Sequence, residues 1–437
     1  MHSLLMFLGL GIFLIAYLFI ITEKLPNTFS ALLGGMLMIA VHILGEKEAF
    51  EAIDWEVIFL LMGMMVLVHI ISETGVFQWI AIKLAQAVKG EPFPILLLLV
   101  LVTAVFSAFL DNVTTVLLIA PVSILLAEQL QLSPIPFLIA EALASNIGGT
   151  ATLIGDPPNI LIGMSAGLTF NEFLMHLTPV ILINLATFMV TLWLLFGKEF
   201  RVSRDLKAKI MDLDADRALR DRGLLVKSLI ILAAVITGFL THGATGIGPA
   251  TIAFGGAVIL SILAKQEPEE VFKPMEWKTL FFFIGLFIMV AGIVKLGVIE
   301  IVAQKALEVT QSNLTVTSLL VLWLSAIVSA VVDNIPYTAT LIPMIGGQGG
   351  LVENIHLAHP EIAMQTIKYA LWWALSLGAC LGGNGTLVGA SANVVVSNIA
   401  AKSGKHISFM TFTKYGAIIT VESMIISTIY LWIRYLR

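Results

Sequence analysis

The chain has 437 residues, of which 58 % are hydrophobic and only 12 % are charged, whereas soluble domains average about 25 % charged residues. No segment is long and polar enough to fold as a soluble domain, so the lipid bilayer must solvate nearly the whole chain, and a formal net charge of −5 gives no reason to expect a nucleic-acid partner. The single cysteine, Cys380, excludes an intramolecular disulfide and a cysteine zinc site, and the lack of a GxxxxGK[ST] motif excludes ATP hydrolysis by a P-loop. We expect a protein that is not an enzyme and has no bound cofactor.

Ten segments are long and apolar enough to cross a bilayer, which takes roughly 20 residues of helix. Residues 3–21 have neither a basic n-region nor a small-residue cleavage site, so we interpret them as a retained span and not as a signal peptide. The predicted spans are residues 3–21, 28–44, 57–72, 134–166, 173–196, 227–241, 249–264, 279–295, 367–401 and 411–434. Residues 134–166 and 367–401 are too long for one simple crossing and are rich in glycine at the middle, which predicts broken helices.

Two further apolar stretches, residues 93–128 and 315–345, each contain an Asp-Asn pair at the centre. Each stretch could form two spans or one re-entrant hairpin. We predict re-entrant hairpins, because a polar tip at mid-membrane depth is tolerated only where it lines a cavity. The expected fold is an all-α polytopic membrane protein with ten spans and two helical hairpins.

The distribution of basic residues predicts the orientation of the chain. If the linker at residues 198–226 is cytoplasmic, 18 of the 24 Lys and Arg residues lie in cytoplasmic loops and flanks, and 6 lie outside. We therefore expect an integral, multi-pass protein of the cell's inner (plasma) membrane, with both termini outside and the linker in the cytoplasm.

The two halves of the sequence align with each other at nearly constant spacing. At 222 residues the matches are Glu48 with Glu270, Phe50 with Phe272, Trp55 with Trp277, Gly63 with Gly285, Gly75 with Gly297, Val76 with Val298, Asp111 with Asp333, Asn112 with Asn334, and Pro121 with Pro343. At 234 residues they are Gly148 with Gly382, Gly149 with Gly383, Thr152 with Thr386, Leu153 with Leu387, Gly155 with Gly389, and Asn159 with Asn393. The 12 extra residues fall around residues 346–361, where we expect a polar loop.

This spacing divides the chain into a first repeat at residues 1–197, a linker at 198–226 and a second repeat at 227–437. With five spans in each repeat, an odd number, the second repeat must be inverted relative to the first. Inverted repeats with broken helices are the architecture of secondary transporters, whose site lies near the membrane midplane between the repeats.

The Asp-Asn pairs are the first candidate site residues. A charge at the bilayer centre costs at least about 2.5–3.5 kcal/mol, so Asp111 in AFLDNVTTVLL and Asp333 in AVVDNIPYTATLI indicate a functional site. The alternative is that each Asp only caps the helix that follows, although Ser would cap at a lower desolvation cost. The pairs form a candidate Na⁺ site, with three hydroxyls nearby: Asp111, Asn112, Asp333 and Asn334, with Thr114, Thr115 and Thr338.

The broken helices contain the second set of candidate site residues. Glycine lets the backbone approach a ligand closely, freed carbonyls can bind a cation, and a half-helix N-terminus can bind an anion. For the glycines, close helix packing is the alternative. The candidates are Asn146, Gly148, Gly149, Thr152, Asp156, Asn159, Gly383, Asn384, Thr386 and Asn393. Asp156 has Ala390 as its counterpart and is either a further ion ligand or the cap of the half-helix that starts at Pro157.

Four other ionisable residues in apolar segments are left out of the site. His69 has Ala291 as its counterpart, and a lone intramembrane His is more often a hydrogen-bonded packing residue than a proton relay. Glu141, Glu300 and Glu422 are expected near helix ends.

Four stretches carry a resemblance to a known family: FLDNVTTVLLIAPV, NIGGTATLIGDPPNILI, VDNIPYTATLIPM and LWWALSLGACLGGNGTLVGASANVVV. They resemble the ion transporter superfamily, which includes sodium-coupled dicarboxylate symporters, ArsB arsenite permeases, NhaD sodium/proton antiporters and the melanosomal P-protein group. The resemblance extends over nearly the whole chain and is strongest to the P-protein group and its bacterial relatives.

The resemblance implies a homodimer and an elevator mechanism, in which a mobile transport part carries the site past a scaffold. The scaffold spans would be residues 1–92 and 227–312, and the transport parts residues 93–197 and 313–437. Dicarboxylate symporters of this superfamily carry Ser-Asn-Thr at the hairpin tips, where this sequence has Asp111-Asn112-Val113 and Asp333-Asn334-Ile335. The added negative charge disfavours a dicarboxylate and favours a cation, a proton or a neutral solute.

The leading hypothesis is a secondary transporter for a small ion or solute, of the ArsB/NhaD/P-protein type and linked to Na⁺ or H⁺. The alternatives are efflux of arsenite or another small solute, and anion movement of the channel-like kind suggested for P proteins. A passive channel is a further alternative, since fold alone does not fix function. An intramembrane aspartyl protease would need a Gly-x-Gly-Asp context, which neither Asp111 nor Asp333 has. The expected partners are the substrate, the lipid bilayer and a second copy of the chain.

Overall fold

The computed structural model describes residues 2–22, 24–197, 200, 202–273 and 275–437, and within these ranges it contains helices and no strand. Residues 198, 199 and 201, at the start of the predicted linker, lie outside the described residues. Eight of the described helices are long and apolar enough to cross a membrane, and four shorter apolar helices accompany them. The prediction of an all-helical, polytopic architecture is confirmed.

The helices of the first half follow the hydrophobic segments of the sequence. They are α1 (His2–Thr22), α2 (Asn27–Ala40), α3 (Glu46–Glu51), α4 (Trp55–Glu73), α5 (Val76–Ala87), α6 (Pro92–Phe109), α7 (Asn112–Gln129), α8 (Ile135–Gly149), α9 (Pro157–Ala166), α10 (Phe170–His176) and α11 (Thr178–Phe196). A connecting segment then holds α12 (Arg204–Met211) and a 3₁₀ turn (Ala215–Ala218).

The helices of the second half occur in a similar order. They are α13 (Arg222–Thr245), α14 (Pro249–Ala264), α15 (Pro268–Phe272), α16 (Trp277–Lys295), α17 (Val298–Thr310), α18 (Leu314–Ser329), α19 (Asn334–Gly346), α20 (Leu351–Ala358), α21 (Met364–Gly382), α22 (Ser391–Lys402) and α23 (Phe409–Leu431). A 3₁₀ turn (Gly383–Gly385) follows α21, and a π-helical turn (Trp432–Leu436) ends α23.

The two predicted helix breaks are confirmed. The first separates α8 from α9, where Pro157 and Pro158 fit the first turn of a helix but could not continue one. The second separates α21 from α22. The predicted hairpins are also helix pairs, α6 with α7 and α18 with α19, interrupted just before Asn112 and Asn334. Because α6 and α7 each have 18 residues, their length permits full crossings, and re-entrance stays a prediction.

The structure differs from the sequence-based expectation at the connections. The segment expected to be a polar loop, residues 346–361, contains α20, which buries Leu351, Val352 and Ile355 and is therefore amphipathic. The described part of the connection between the halves is partly helical and contacts the rest of the protein. Lys207 on α12 pairs with Glu91 at 2.6 Å, and residues 222–226 already belong to α13.

Helices of one half pack against helices of the other in a reciprocal pattern. The α2 helix lies against α16, and α4 lies against α14. In the same way α7 lies against α22, and α19 lies against α9. Exchanging each helix for its counterpart at the 222- or 234-residue spacing turns each of these contacts into the other. The second set of contacts brings the two Asp-Asn pairs to the breaks of the opposite halves.

Candidate functional site

Asp156 is the centre of a buried polar cluster. Its carboxylate is fully buried and accepts hydrogen bonds from the side-chain amides of Asn112, at 3.2 Å, and Asn334, at 3.4 Å to each oxygen. Although Asp156 occupies the N-cap position of α9, its side chain does not cap that helix. The side chain therefore does not act as the cap of α9, and it joins both hairpin tips through one acid, while its role as an ion ligand stays a prediction.

A chain of asparagine side chains continues from this cluster across both breaks. Asn112 also donates to Oδ1 of Asn146 at 3.0 Å. The Asn146 amide in turn donates to Oδ1 of Asn384 at 2.8 Å and to Oδ1 of Asn393 at 3.1 Å. All four side chains are buried, so each hydrogen bond satisfies a polar group that water does not reach. The chain links the first hairpin tip to the break in the opposite half.

The tip aspartates both cap the helices that follow them. Oδ1 of Asp111 accepts the backbone N–H of Thr114 at 2.8 Å, and Oδ1 of Asp333 accepts that of Ile335 at 3.0 Å. The alternative raised from the sequence is thus present in the structure. Asp333 has a further contact, since Ser391 donates to its Oδ2 at 2.7 Å. Both side chains are half-buried and line cavities, so capping is not their only contact.

Asn159 and Asn393 hold the two breaks in the same way. The amide of Asn159 donates to the carbonyls of Thr150 at 3.1 Å and Thr152 at 2.9 Å, and that of Asn393 donates to Thr386 at 3.0 Å. The hydroxyl of Thr152 donates to a carbonyl at the end of α6, and the hydroxyl of Thr386 donates to the carbonyl of Ala330, which follows α18. These hydrogen bonds hold the backbone of the two breaks, and none of them is made to Asp156 itself.

The candidate glycines pack closely against neighbouring backbone. A Cβ at Gly148 would lie 2.1 Å from the carbonyl oxygen of Ala104. One at Gly149 would lie 2.4 Å from the carbonyl oxygen of Gly155, and one at Gly383 would lie 3.0 Å from that of Gly389. Close helix packing therefore explains Gly148, which lies on α8 against α6, whereas Gly149 and Gly383 pack against backbone inside their own breaks. A role of these glycines in ion binding stays a prediction.

The candidate threonines differ in their surroundings. Thr115 and Thr338 are buried, and neither hydroxyl has a hydrogen-bond partner among the described residues. Thr114 is half-buried, and its backbone N–H donates to the Asp111 cap. The described contacts join none of the three to the Asp156 cluster.

A cavity of about 610 Å³ opens beside the cluster. Asp111, Asn112, Asp156 and Asn334 line one side of it. The other side is lined by residues of α4 and by the segment that begins α16: Leu61, Met64, Met65, Met275, Glu276, Trp277, Lys278 and Thr279. Among the described residues, no group of three or more His, Cys, Asp or Glu side chains is arranged to hold a metal ion.

The sequence analysis missed Glu276 and Lys278. Burial, followed by the negative charge of Asp111, raises the pKa of Glu276 to about 7, and both acids line the same cavity. The sequence did contain a hint of their position, because both residues flank Trp277, which matches Trp55 in the alignment of the two halves. Charged residues at the start of a span are ordinary interfacial residues, so the pattern alone did not single them out.

Lys278 lies between two cavities. A second cavity, of about 490 Å³, is lined by Asp333, Ser391 and the N-terminal end of α2, and Lys278 and Thr279 line it as well. Both cavities therefore meet at the start of α16.

Two other acids were also placed wrongly from the sequence. Glu141 lies in the middle of α8, fully buried, where it accepts a hydrogen bond from Ser123 and leaves Oε2 without a partner among the described residues. Glu422 lies in the middle of α23 and accepts a hydrogen bond from Thr191 at 2.7 Å. Glu300, in the first turn of α17, is near a helix end as expected.

Comparison with known proteins identifies the family of the chain. Residues 17–378 match the profile of the CitMHS family, described as citrate transporter. The chain belongs to this family. Its sequence is 44 % identical over 428 residues to the "Uncharacterized transporter Rv2684" of Mycobacterium tuberculosis, with 97 % of each chain covered. It is also 44 % identical over 433 residues to the "46 kDa membrane protein" of Mycobacterium leprae, covering 98 % of this chain and 99 % of that one.

The P protein of Mus musculus is 34 % identical over 503 residues, which cover 96 % of this chain and 59 % of the P protein. The resemblance to the P-protein group is thereby confirmed, and the CitMHS-family chain is an integral, multi-pass membrane transporter. Among solved structures, the Alcanivorax borkumensis YdaH transporter aligns with a TM-score of 0.47 and 16 % identity, covering 93 % of this chain and 87 % of that one.

Proposed function

We propose that the protein is a secondary active transporter of a small cation, linked to Na⁺ and H⁺ exchange. The observation that carries this proposal is the position of Asp156, a buried carboxylate held between the amides of the two hairpin tips, Asn112 and Asn334. A carboxylate in this position attracts a cation or a proton. The amide oxygens of the tips and the Asp111 carboxylate at the cavity wall supply further oxygen ligands of the kind that hard cations prefer.

The charge of the cavity supports a cation over a dicarboxylate. Asp111, Asp156 and Glu276 line it, and Lys278 is its single basic residue among the described residues. At short range, like charges repel one another. A dianion in this cavity would need Asp111 and Asp156 to be protonated or screened.

The reciprocal helix packing supports a pair of inverted repeats moving as an elevator. In this proposal the first repeat is residues 1–197 and the second is 227–437, with residues 93–197 and 313–437 forming the transport part. The α2–α16 and α4–α14 contacts join the scaffold spans of both repeats, and the α7–α22 and α19–α9 contacts join the transport parts. Two copies of the chain would associate through their scaffolds, with both termini outside.

The second candidate is transport of an organic anion, since the family is described as citrate transporter. Lys278, which lines both cavities, could bind a carboxylate. Three acids line the larger cavity against this one base, so the cation is the better-supported substrate. Efflux of arsenite, which is neutral at neutral pH, would avoid the repulsion and is included in the test.

Flux into vesicles tests the proposal. The purified protein is reconstituted, and uptake of Na⁺, H⁺, Cl⁻, arsenite, succinate and citrate is measured against protein-free vesicles. We expect saturable Na⁺ uptake with counter-movement of H⁺. In Asp156→Asn, which keeps an oxygen acceptor for both tip amides but removes the charge, this flux should fall at least about tenfold, the equivalent of roughly 1.4 kcal/mol.

Other results would change the assignment. Saturable uptake of citrate without any Na⁺ or H⁺ movement would replace the cation with the anion. Conductance that rises linearly without saturation would identify a channel. Wild-type flux in Asp156→Asn, with unchanged folding by size-exclusion chromatography, would remove the central carboxylate from the site.

A further inference from the structure

Lys278 is placed to meet the carboxylates of both cavities. It lies in the first turn of α16, and its backbone carbonyl accepts a hydrogen bond from the Thr28 hydroxyl at 2.9 Å, which ties this turn to the start of α2. The side chain itself is exposed, and the flexible four-carbon stem of a lysine lets its ammonium group reach many positions. The backbone is thus held while the charge is mobile.

The charged groups around Lys278 are acids. Asp111, Asp156 and Glu276 line the larger cavity with it, and Asp333 lines the smaller one. No other Lys, Arg or His among the described residues lines either cavity. A mobile ammonium in such surroundings competes with any other cation for the same oxygens, because each carboxylate gains by pairing with whichever positive charge is near.

The counterpart of Lys278 has the opposite charge. At the 222-residue spacing, Glu276-Trp277-Lys278 corresponds to Asp54-Trp55-Glu56. Glu56 and Trp55 line a separate cavity of about 400 Å³, between the start of α4 and α14. If the halves are inverted, these two tripeptides mark opposite faces of the membrane. The residues that line the cavity at Glu56 come from α4 and α14 alone, so the part given to Glu56 rests on the predicted inversion. A transport part that moved between the two faces would meet Lys278 on one face and Glu56 on the other.

We propose that Lys278 is a tethered competitor for the transported cation, which lowers the affinity of the site on the face where α16 begins, while Glu56 raises it on the opposite face. This inference rests on the proposed cation transport. When the cation leaves toward the Lys278 face, the ammonium takes its place beside the vacated carboxylates and opposes rebinding. The same arrangement makes release easier on one face and capture easier on the other.

The test uses radioactive Na⁺ as the probe, with uptake measured in both inside-out and right-side-out membrane vesicles. In the predicted topology α16 begins at the cytoplasmic face, which inside-out vesicles expose. Lys278→Gln should lower the half-saturating Na⁺ concentration in inside-out vesicles about fivefold, the effect of one elementary charge at short range in a wet cavity. Lys278→Arg, which keeps the charge, should restore the wild-type value. Glu56→Lys should raise the half-saturating concentration only in right-side-out vesicles.

Lys305→Gln is the matched control, because Lys305 is an exposed lysine on α17 that lines neither cavity. This variant should have the wild-type half-saturating Na⁺ concentration in both vesicle types. If the wild-type protein moves Na⁺ and Lys278→Gln keeps the wild-type half-saturating concentration, or if Lys278→Arg behaves like Lys278→Gln, the competitor role is overturned while the proposed transport stands. If the wild-type protein moves no Na⁺ at all, both fail together.

Discussion

At the scale of single residues, each tip aspartate has two structural features that bear on its role. Asp111 and Asp333 each cap a helix, which fixes the side chain, and each also lines a cavity. Capping alone would not require the charge, since Asn caps nearly as well as Asp. The charge is therefore the property that separates a structural role from a role in binding.

Replacing each tip aspartate by asparagine tests whether the charge, and not only the helix cap, is needed. Asp111→Asn and Asp333→Asn keep the shape and the cap but remove the charge, so we expect each to reduce Na⁺ flux at least about tenfold with little loss of thermal stability. Asp221→Asn is the matched control, because Asp221 caps α13 in the same way, by accepting the N–H of Leu224 at 2.8 Å, on the exposed surface. Flux and melting temperature of the three variants are measured in parallel. Normal flux with normal pH dependence in both tip variants would leave only the capping role.

At the scale of helices, close crossings join helices of the two halves. A Cβ at Gly63 on α4 would lie 2.5 Å from the backbone nitrogen of Phe254 on α14. A Cβ at Gly285 on α16 would lie 2.5 Å from the backbone nitrogen of Leu32 on α2. Both glycines and both contacted residues are related by the same 222-residue spacing. Small residues allow such backbone approach in membranes, where lipid supplies no hydrophobic drive for helix association.

Alanine at these crossings should separate the helices. We expect Gly63→Ala and Gly285→Ala each to destabilise the protein by about 1–3 kcal/mol, the usual cost of overpacking a close contact. Gly255→Ala, on α14 itself, is the control, because no atom lies within 4 Å of its added Cβ. That change should be neutral or slightly stabilising, since alanine favours helix over glycine. Thermal unfolding in detergent measures all three, and equal melting temperatures would contradict the tight crossings.

The same scale shows which helical features the sequence could predict. Glycine, proline and asparagine inside apolar segments are costly unless they serve a break, so the breaks at residues 150–156 and 383–390 could be located from sequence. The sequence could not predict that Asp156 turns away from the helix it precedes, because that depends on Asn112 and Asn334 arriving from distant parts of the chain. It also could not distinguish Lys278 from any other lysine at a helix start.

At the scale of the whole molecule, parity and charge predict the orientation of the two halves in the membrane. Five predicted spans in each half place the connecting segment near α12 and the segment near α20 on opposite sides of the membrane. The structure leaves both positions reachable, since Ala208 on α12 and Gln348 before α20 are exposed.

Cysteine labelling tests this orientation. A cysteine at Ala208 should react with a membrane-impermeant maleimide only from the cytoplasmic side, and one at Gln348 only from outside. The background is Cys380→Ser, which keeps a donor toward Oδ1 of Asn159, the atom 3.6 Å from the native sulfur. Labelling of both cysteines from the same side would rule out the inverted arrangement. It would also rule out the proposed action of Lys278 and Glu56 at opposite faces of the membrane.

The Asp156 carboxylate, which has no acidic counterpart in the second half, also bears on how such a chain could arise from a duplication. A protein made of two copies of the first half would set two acids, Asp156 and its twin, at equivalent places near the junction, where their mutual repulsion would oppose assembly. Two copies of the second half, with Ala390 at that place, would have no such acid. Only unequal halves give one acid shared by both tips. If the chain arose by duplication, the divergence of residues 156 and 390 is the step that would create such a shared centre.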